Sequence, residues 1–309
     1  MEASQVDLVG VGLNAADTLI SVPQFPEPGS KATVRSLASQ LGGQVATAVI
    51  ACQRWGLRTR YIGKLGDDSA AASHLQAFAA AGVETQIATV PGCASAQSHI
   101  LVDDSGERSV LWHRDPRLAL TPADVKREWI VNARALLIDG CDTAAATQAA
   151  RWARAADIPV VADLDDAYPE VEALMENTDY LIVSRDFPAR ISGKCGLGES
   201  LPWLQSRFSS RLAAATLGTE GALALDGEQF YSSAAYKVPS TDTTGAGDIF
   251  HAGFIYGLLR EWPIQRNLDF ACAAAALNCT AKGARGRIAN VDEIEALIAG
   301  GPGYPAGRP

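Results

Sequence analysis

Up to Thr244 the chain alternates short apolar runs with Ala- and Leu-rich stretches of helical period, the rhythm of βαβ units around a parallel sheet. Strands are expected at Asp7–Val11, Arg58–Gly63, Ala135–Asp139, Ile158–Leu164, Tyr180–Val183 and Leu212–Leu217. Between them, Val45–Trp55 places Val45, Ala48, Val49 and Cys52 at i, i+3, i+4 and i+7, one helical face, and Gly56 supplies a stop. Ser69–Ala81 before Gly82, and Thr143–Ala156, repeat that plan. Beyond Thr244 the pattern becomes helix upon helix, through Ala246–Arg260, Ile264–Ala281 and Val291–Ala299.

Two segments break the alternation, and both read as strands of a separate small sheet. Residues 18–39 carry Pro23, Pro26, Pro28 and Gly29, too many breakers for a helix. Within residues 97–114, Gln97–Val102 faces Glu107–His113 across Asp103-Asp104-Ser105-Gly106, a hairpin signal. These segments are expected to form a lid or a subunit contact; the alternative is an ordinary edge hairpin of the main sheet. Residues 1–300 then form one α/β domain with two insertions, and the Gly- and Pro-rich residues 301–309 form a loose tail.

Composition narrows the class without naming a chemistry. With 309 residues, 48% hydrophobic and 20% charged, 28 Gly and 15 Pro, the chain fits average globular usage, which excludes disorder, collagen and coiled coil. A net charge of -9 with no local basic patch argues against nucleic acid or an anionic membrane as partner. The six cysteines form no CxxC pair and no Cys/His cluster, there is no secretory leader pattern, and no run of apolar residues is long enough to span a bilayer. A reduced, cytoplasmic setting is the expectation.

The segment from Ser240 to Phe250, STDTTGAGDIF, leads into a helix whose Ile249, Phe250, Gly253, Phe254, Gly257 and Leu258 are apolar or small. Gly245-Ala246-Gly247 therefore sits at a helix entrance, where backbone N–H groups lack intrahelical acceptors and attract anions. Asp248 lies in that first turn. It is either a base, beside N–H groups that stabilise a transferring phosphoryl group, or a first-turn partner of the helix dipole.

These residues carry a family resemblance. Asp242-Thr-Thr-Gly-Ala-Gly-Asp248, with Phe250 and Gly253, resembles the C-terminal signature of the ribokinase-like (PfkB) carbohydrate kinases. Gly42-Gly43 with Gly56 and Gly63-Lys-Leu-Gly66-Asp67-Asp68 resembles the family's N-terminal signature, and Thr216-Leu-Gly218-Thr-Glu-Gly221 its nucleotide-side strand end. The match spans residues 6 to 298. It implies a three-layer α/β/α core with a β-sheet lid, and a kinase using ATP and Mg²⁺, in some members with K⁺, to phosphorylate a sugar hydroxyl, expected to be primary. Asp248 would be the general base, and Gly245, Ala246 and Gly247 the anion hole. Asp17, Gly42, Gly43 and Thr47 would bind the sugar, and Lys31 and His113-Arg114 in the lid segments would meet a polar or anionic substituent. Ser184, Thr216, Gly218, Gly221, Thr244, Asn278 and Gly283 would lie on the nucleotide side, with Asp242 and Thr244 at a monovalent cation site. Lid-to-lid pairing implies a homodimer.

Departures from the pattern are visible as well. Thr47 stands where the family commonly has Asn, and Ser184-Arg-Asp186-Phe187 replaces its Asn-x-x-Glu motif, leaving Asp186 as the candidate substitute carboxylate. Gly42-Gly43, Ala46-Thr-Ala48, Ser98, Gly106-Glu-Arg108, Phe250-His251 and Asn278-Cys-Thr280 resemble the sulfofructose kinase branch, yet Cys141 stands where that branch presents a basic residue. His251 would either line the pocket or serve the interior. The same residues bear on other function classes. Gly10-Val-Gly12-Leu-Asn-Ala15 mimics a dinucleotide fingerprint, but Pro23, Pro26 and Pro28 forbid the helix it needs. Neither Gly63-Lys64 nor Gly193-Lys194 is followed by the Ser or Thr of a Walker loop. A nucleoside kinase of the same fold and a non-catalytic sugar sensor complete the alternatives.

Overall fold

The computed structural model describes residues 4–104 and 108–301. The tail beyond residue 301 and the hairpin tip 105–107, including Glu107, lie outside them. In chain order the strands are β1 (Leu8–Val11), β2 (Ala15–Ser21), β3 (Ser36–Gly42), β4 (Thr59–Leu65), β5 (Glu84–Thr89), β6 (Gln97–Val102), β7 (Arg108–His113), β8 (Ala135–Asp139), β9 (Val160–Leu164), β10 (Tyr180–Ser184), β11 (Leu212–Thr216), β12 (Ala222–Asp226) and β13 (Gln229–Ser233). The helices are α1 (Gln44–Arg54), α2 (Ser69–Ala81), α3 (Arg127–Ile130), α4 (Thr143–Arg154), α5 (Val171–Met175), α6 (Phe187–Ser192), α7 (Leu197–Phe208), α8 (Ala246–Leu258), α9 (Ile264–Asn278) and α10 (Val291–Gly300).

Nine strands form one sheet in the order β13-β12-β11-β10-β9-β8-β1-β4-β5, parallel from β11 to β5 and closed by the antiparallel β12–β13 hairpin. Strands β8 to β11 are almost wholly buried because helices cover both faces. One apolar layer gathers α1, α8 and α9 against the sheet; the other holds α4, α5 and α7. Helix α8 is buried over nearly its whole length, and a Cβ at Gly253 would stand 2.7 Å from the Ala271 Cα, so the glycine permits the close crossing of α8 over α9.

The second sheet, β3-β2-β6-β7, is separate, so residues 97–113 do not form an edge of the main sheet. Here β2 pairs antiparallel with β3 and parallel with β6. Strand order in the main sheet reverses around β1, which lies between β8 and β4, and the carboxyl ends of strands at such a switch point open onto a crevice.

Candidate active site

A cleft of about 530 Å³ opens at the carboxyl ends of β9, β10 and β11 and at the start of α8. Ser184, Thr216, Gly218 and Gly221 line it from the strand side, and Gly245, Ala246, Gly247 and Asp248 from the helix side. Gly245 caps α8 at φ 77°, a left-handed conformation, and a Cβ there would sit 2.3 Å from the Ala284 carbonyl oxygen. The Ala246 N–H bonds to Thr243 O at 3.2 Å, but those of Gly247 and Asp248 meet no protein acceptor among the described residues. A Cβ at Gly247 would meet nothing within 4 Å, so space lies beside these donors. This is the anion-binding geometry of a helix start.

Asp248 is half-buried, and no protein hydrogen bond holds its carboxylate among the described residues. Burial, with the negative charges of Asp163 and Asp17, pushes its pKa up to about 7, against the pull of His251 and Arg285. Asp163, buried at the end of β9, is pushed well above the carboxylate range by burial and by Asp165 and Asp139. His251 is an interior group that also touches the cleft wall: its Nδ1 lies 2.8 Å from Gly247 O and 3.3 Å from Asp163 Oδ2, and its Nε2 3.2 Å from Ile182 O. It ties the first turn of α8 to β10, while burial lowers its pKa.

Asp17, on β2, is buried beside the glycine pair. A Cβ at Gly42 would fall 2.2 Å from its Oδ2, so the missing side chain makes room for the carboxylate. Burial pushes Asp17 up to about 6, although the Ser98 hydroxyl bonds to it. Gly43, at φ 92°, caps α1 and turns the chain out of the lid strand. Thr47, buried one turn into α1, accepts a hydrogen bond from Arg285 Nε at 3.3 Å, and Arg285 Nη2 donates to Gly42 O at 3.0 Å. Burial lowers the Arg285 pKa to about 10, and Tyr61, Asp248 and Asp17 pull it back upward.

Several expected site residues hold the frame instead of facing the cleft. Asp242 accepts the Thr244 N–H at 2.9 Å, the Thr244 hydroxyl at 2.7 Å and the Gly283 N–H at 2.7 Å. Asn278 is sealed in the interior, donating to Thr244 O and Ala284 O and accepting from the Arg287 N–H. Asn278, Gly283 and Thr244 thus brace the α8 loop from behind, and three of the roughly four acceptor sites of the Asp242 carboxylate are taken by the protein. Lys31 and His113 are exposed and do not line the cleft. Arg114 is engaged internally: its guanidinium grips both Asp142 oxygens at 2.9 and 2.6 Å, Leu118 O at 2.8 Å and Cys141 Sγ at 3.1 Å. Asp186 is the exposed N-cap of α6 and does not line the cleft, whereas Asp163 and Asp165 do.

Asp163, Asp165 and Arg285 belong to no motif singled out in the sequence. For the aspartates the available signal was a pair of carboxylates at the end of an expected parallel strand, where open sheets bind ligands. For Arg285 there was only a basic residue flanked by Ala284 and Gly286 in a short loop.

An anion-accepting helix start with an unbonded carboxylate in its first turn, beside the carboxyl ends of parallel strands, is an arrangement suited to phosphoryl transfer. The chain belongs to the pfkB family of carbohydrate kinases, whose model matches residues 7–290. It is 30% identical over 278 residues to the ATP-dependent ribose-1-phosphate kinase of Halopiger xanaduensis, covering 87% of this chain and 90% of that one. It is also 26% identical to the 5-dehydro-2-deoxygluconokinase of Listeria monocytogenes, over 95% of this chain and 96% of the relative. The ribokinase of Giardia lamblia superposes with a TM-score of 0.85 at 21% identity, covering 96% of this chain and 99% of that chain, which shows the shared fold. The protein is an ATP-binding kinase of sugars or nucleosides with an alcohol acceptor. Among the described residues no helix is long and apolar enough to cross a membrane.

Proposed function

We propose that the protein transfers the γ-phosphate of ATP to a hydroxyl, most simply a primary one, of a sugar acceptor, with Asp248 as general base. The observation that carries this reading is the unbonded Asp248 carboxylate one residue beyond Gly247, with a pKa near neutrality and two free N–H groups at its side. A carboxylate poised near 7 takes the acceptor proton at physiological pH, while the amides of Gly247 and Asp248 stabilise charge on the transferring group. Thr216, Gly218 and Gly221 hold the nucleotide side, and Asp17 accepts hydrogen bonds from sugar hydroxyls under the lid. Mg²⁺ supplies neutralisation of the β and γ oxygens when bound. Asp163 and Asp165, oxygen donors on the cleft wall, would hold it directly or through water. At the expected cation site, three protein donors on the Asp242 carboxylate leave it about one lone-pair site, so K⁺ is not part of this proposal.

We further propose a homodimer formed lid to lid, because Leu37, Val110, Leu111 and Trp112 are exposed large apolar side chains on the small sheet.

ATP consumption over pentoses, ketohexoses, sugar acids, sulfosugars and nucleosides identifies the acceptor. With that acceptor, Asp248→Asn is expected to lower kcat about 10²- to 10⁴-fold with ADP affinity unchanged by calorimetry. Near-normal turnover of the variant would remove Asp248 from the chemistry. Nucleotide binding without turnover of any acceptor would make the protein a sensor, and turnover confined to nucleosides would make it a nucleoside kinase.

A further inference from the structure

Arg285 is a cation held by neutral groups, and neither Asp17 nor Asp248 pairs with it. Its guanidinium reaches Thr47 Oγ1 and Gly42 O, and its carbon lies 6.0 Å from the centroid of the Phe78 ring, which itself stacks on Tyr61 at 4.6 Å. These contacts fix the plane of the fork. Among the described residues no carboxylate forms an ion pair with Arg285, although Asp17 and Asp248 both act on its charge. Among the described residues two of its five N–H donors are used, and three have no protein acceptor.

Gly42 organises both halves of this arrangement. Its carbonyl holds Arg285, and its missing side chain leaves the space that the Asp17 carboxylate fills. An acceptor-only group and a donor-only group are thus set against the same residue, near the proposed base and not bonded to one another. A hydroxyl is the simplest group that satisfies both, since it donates one hydrogen bond and accepts others. An anionic substituent at this place would meet the Asp17 carboxylate along with the guanidinium, so the single positive charge is already offset and an uncharged substituent fits better.

We infer that Arg285 is an acceptor-positioning residue which, with Asp17, clamps neighbouring hydroxyls of an uncharged polyol: each hydroxyl donates to Asp17 and takes a hydrogen bond from Arg285. The inference rests on the kinase reading above and adds the group by which the acceptor is selected. Arg285 holds the diol while a different hydroxyl meets Asp248.

The test uses the full chain with ATP, three uncharged acceptor pairs (D-ribose with 2-deoxy-D-ribose, D-glucose with 2-deoxy-D-glucose, and adenosine with 2′-deoxyadenosine) and ribose 1-phosphate as an anionic acceptor. Arg285→Gln is expected to raise KM for the turned-over diol about 10- to 100-fold, the loss of a charged hydrogen bond, with a smaller change in kcat and an unchanged KM for ATP. The deoxy partner should be a poorer acceptor for the wild type and lose little more in the variant. Arg285→Lys keeps the charge but loses the fork, and should show the same pattern if Arg285→Gln fails to fold. Equal losses for a diol and its deoxy partner, or an unchanged acceptor KM, would overturn the clamp while leaving the kinase reading intact. Turnover confined to anionic acceptors, such as ribose 1-phosphate, would overturn the preference for an uncharged one. Absence of both binding and turnover with every acceptor would sink the kinase reading, and the clamp with it.

Discussion

Chemistry at a single carboxylate depends on what else that carboxylate must do. Asp242 and Asp139 are held by the protein: Asp242 takes three hydrogen bonds, and Asp139 accepts the N–H groups of Leu13 at 2.6 Å and Cys141 at 3.0 Å. Burial pushes both Asp139 and Asp248 up to about 7, so titration does not tell them apart; Asp248 is set apart because no protein hydrogen bond holds its carboxylate among the described residues, which leaves it open to an acceptor proton. The sign for activity follows. A base must be deprotonated, so log kcat/KM should rise with unit slope to a plateau above about pH 7, and steepen below about pH 6 where Asp17 also protonates. Residual activity in Asp248→Asn should lack the limb near 7; a pH-rate profile unchanged in the variant would assign that limb to another group.

At the scale of the element, the start of α8 separates two glycines that look alike in sequence. Gly245 needs its left-handed φ and the contact with Ala284 O, so Gly245→Ala should destabilise by more than about 1 kcal/mol, read in thermal melts. Gly247 needs neither: its Cβ would enter open space beside the free N–H groups. Gly247→Ala should melt like the wild type yet bind ATP more weakly, because the methyl stands where phosphate approaches the backbone; unaltered ATP affinity by titration would displace the phosphate from this turn. Elements with strong period were legible in advance. Ser69–Ala81 and Ala135–Asp139 match their expected bounds, whereas α9 ends at Asn278, before the expected Ala281. The polar strand β5 and the Ala-rich β12 had no alternation strong enough to announce them, and are held by their neighbours β4 and β11.

Across the whole molecule, the lid sheet leaves its edge strand uncovered: Leu111 is 63% exposed and Trp112 58%. A second copy of the chain is the proposed cover, and light scattering should give a dimeric mass that Leu111→Glu converts to a monomer with little change in melting temperature. A monomeric wild type would contradict the pairing and leave the apolar edge to another partner.

Local pattern by itself determined the α/β class, the two insertions and the glycine-flanked carboxylate of the kinase signature, because each depends on residues adjacent in the chain and on their periodicity. Tertiary structure alone decided which charged groups meet. Arg285 bonds to Thr47 across 238 positions, Asp163 reaches the cleft while Asp186 does not, and Asn278 is walled in behind the loop it was expected to share with a ligand. Such meetings are set by how helices settle on the sheet and how far each side chain is then desolvated, quantities that no spacing along the chain encodes.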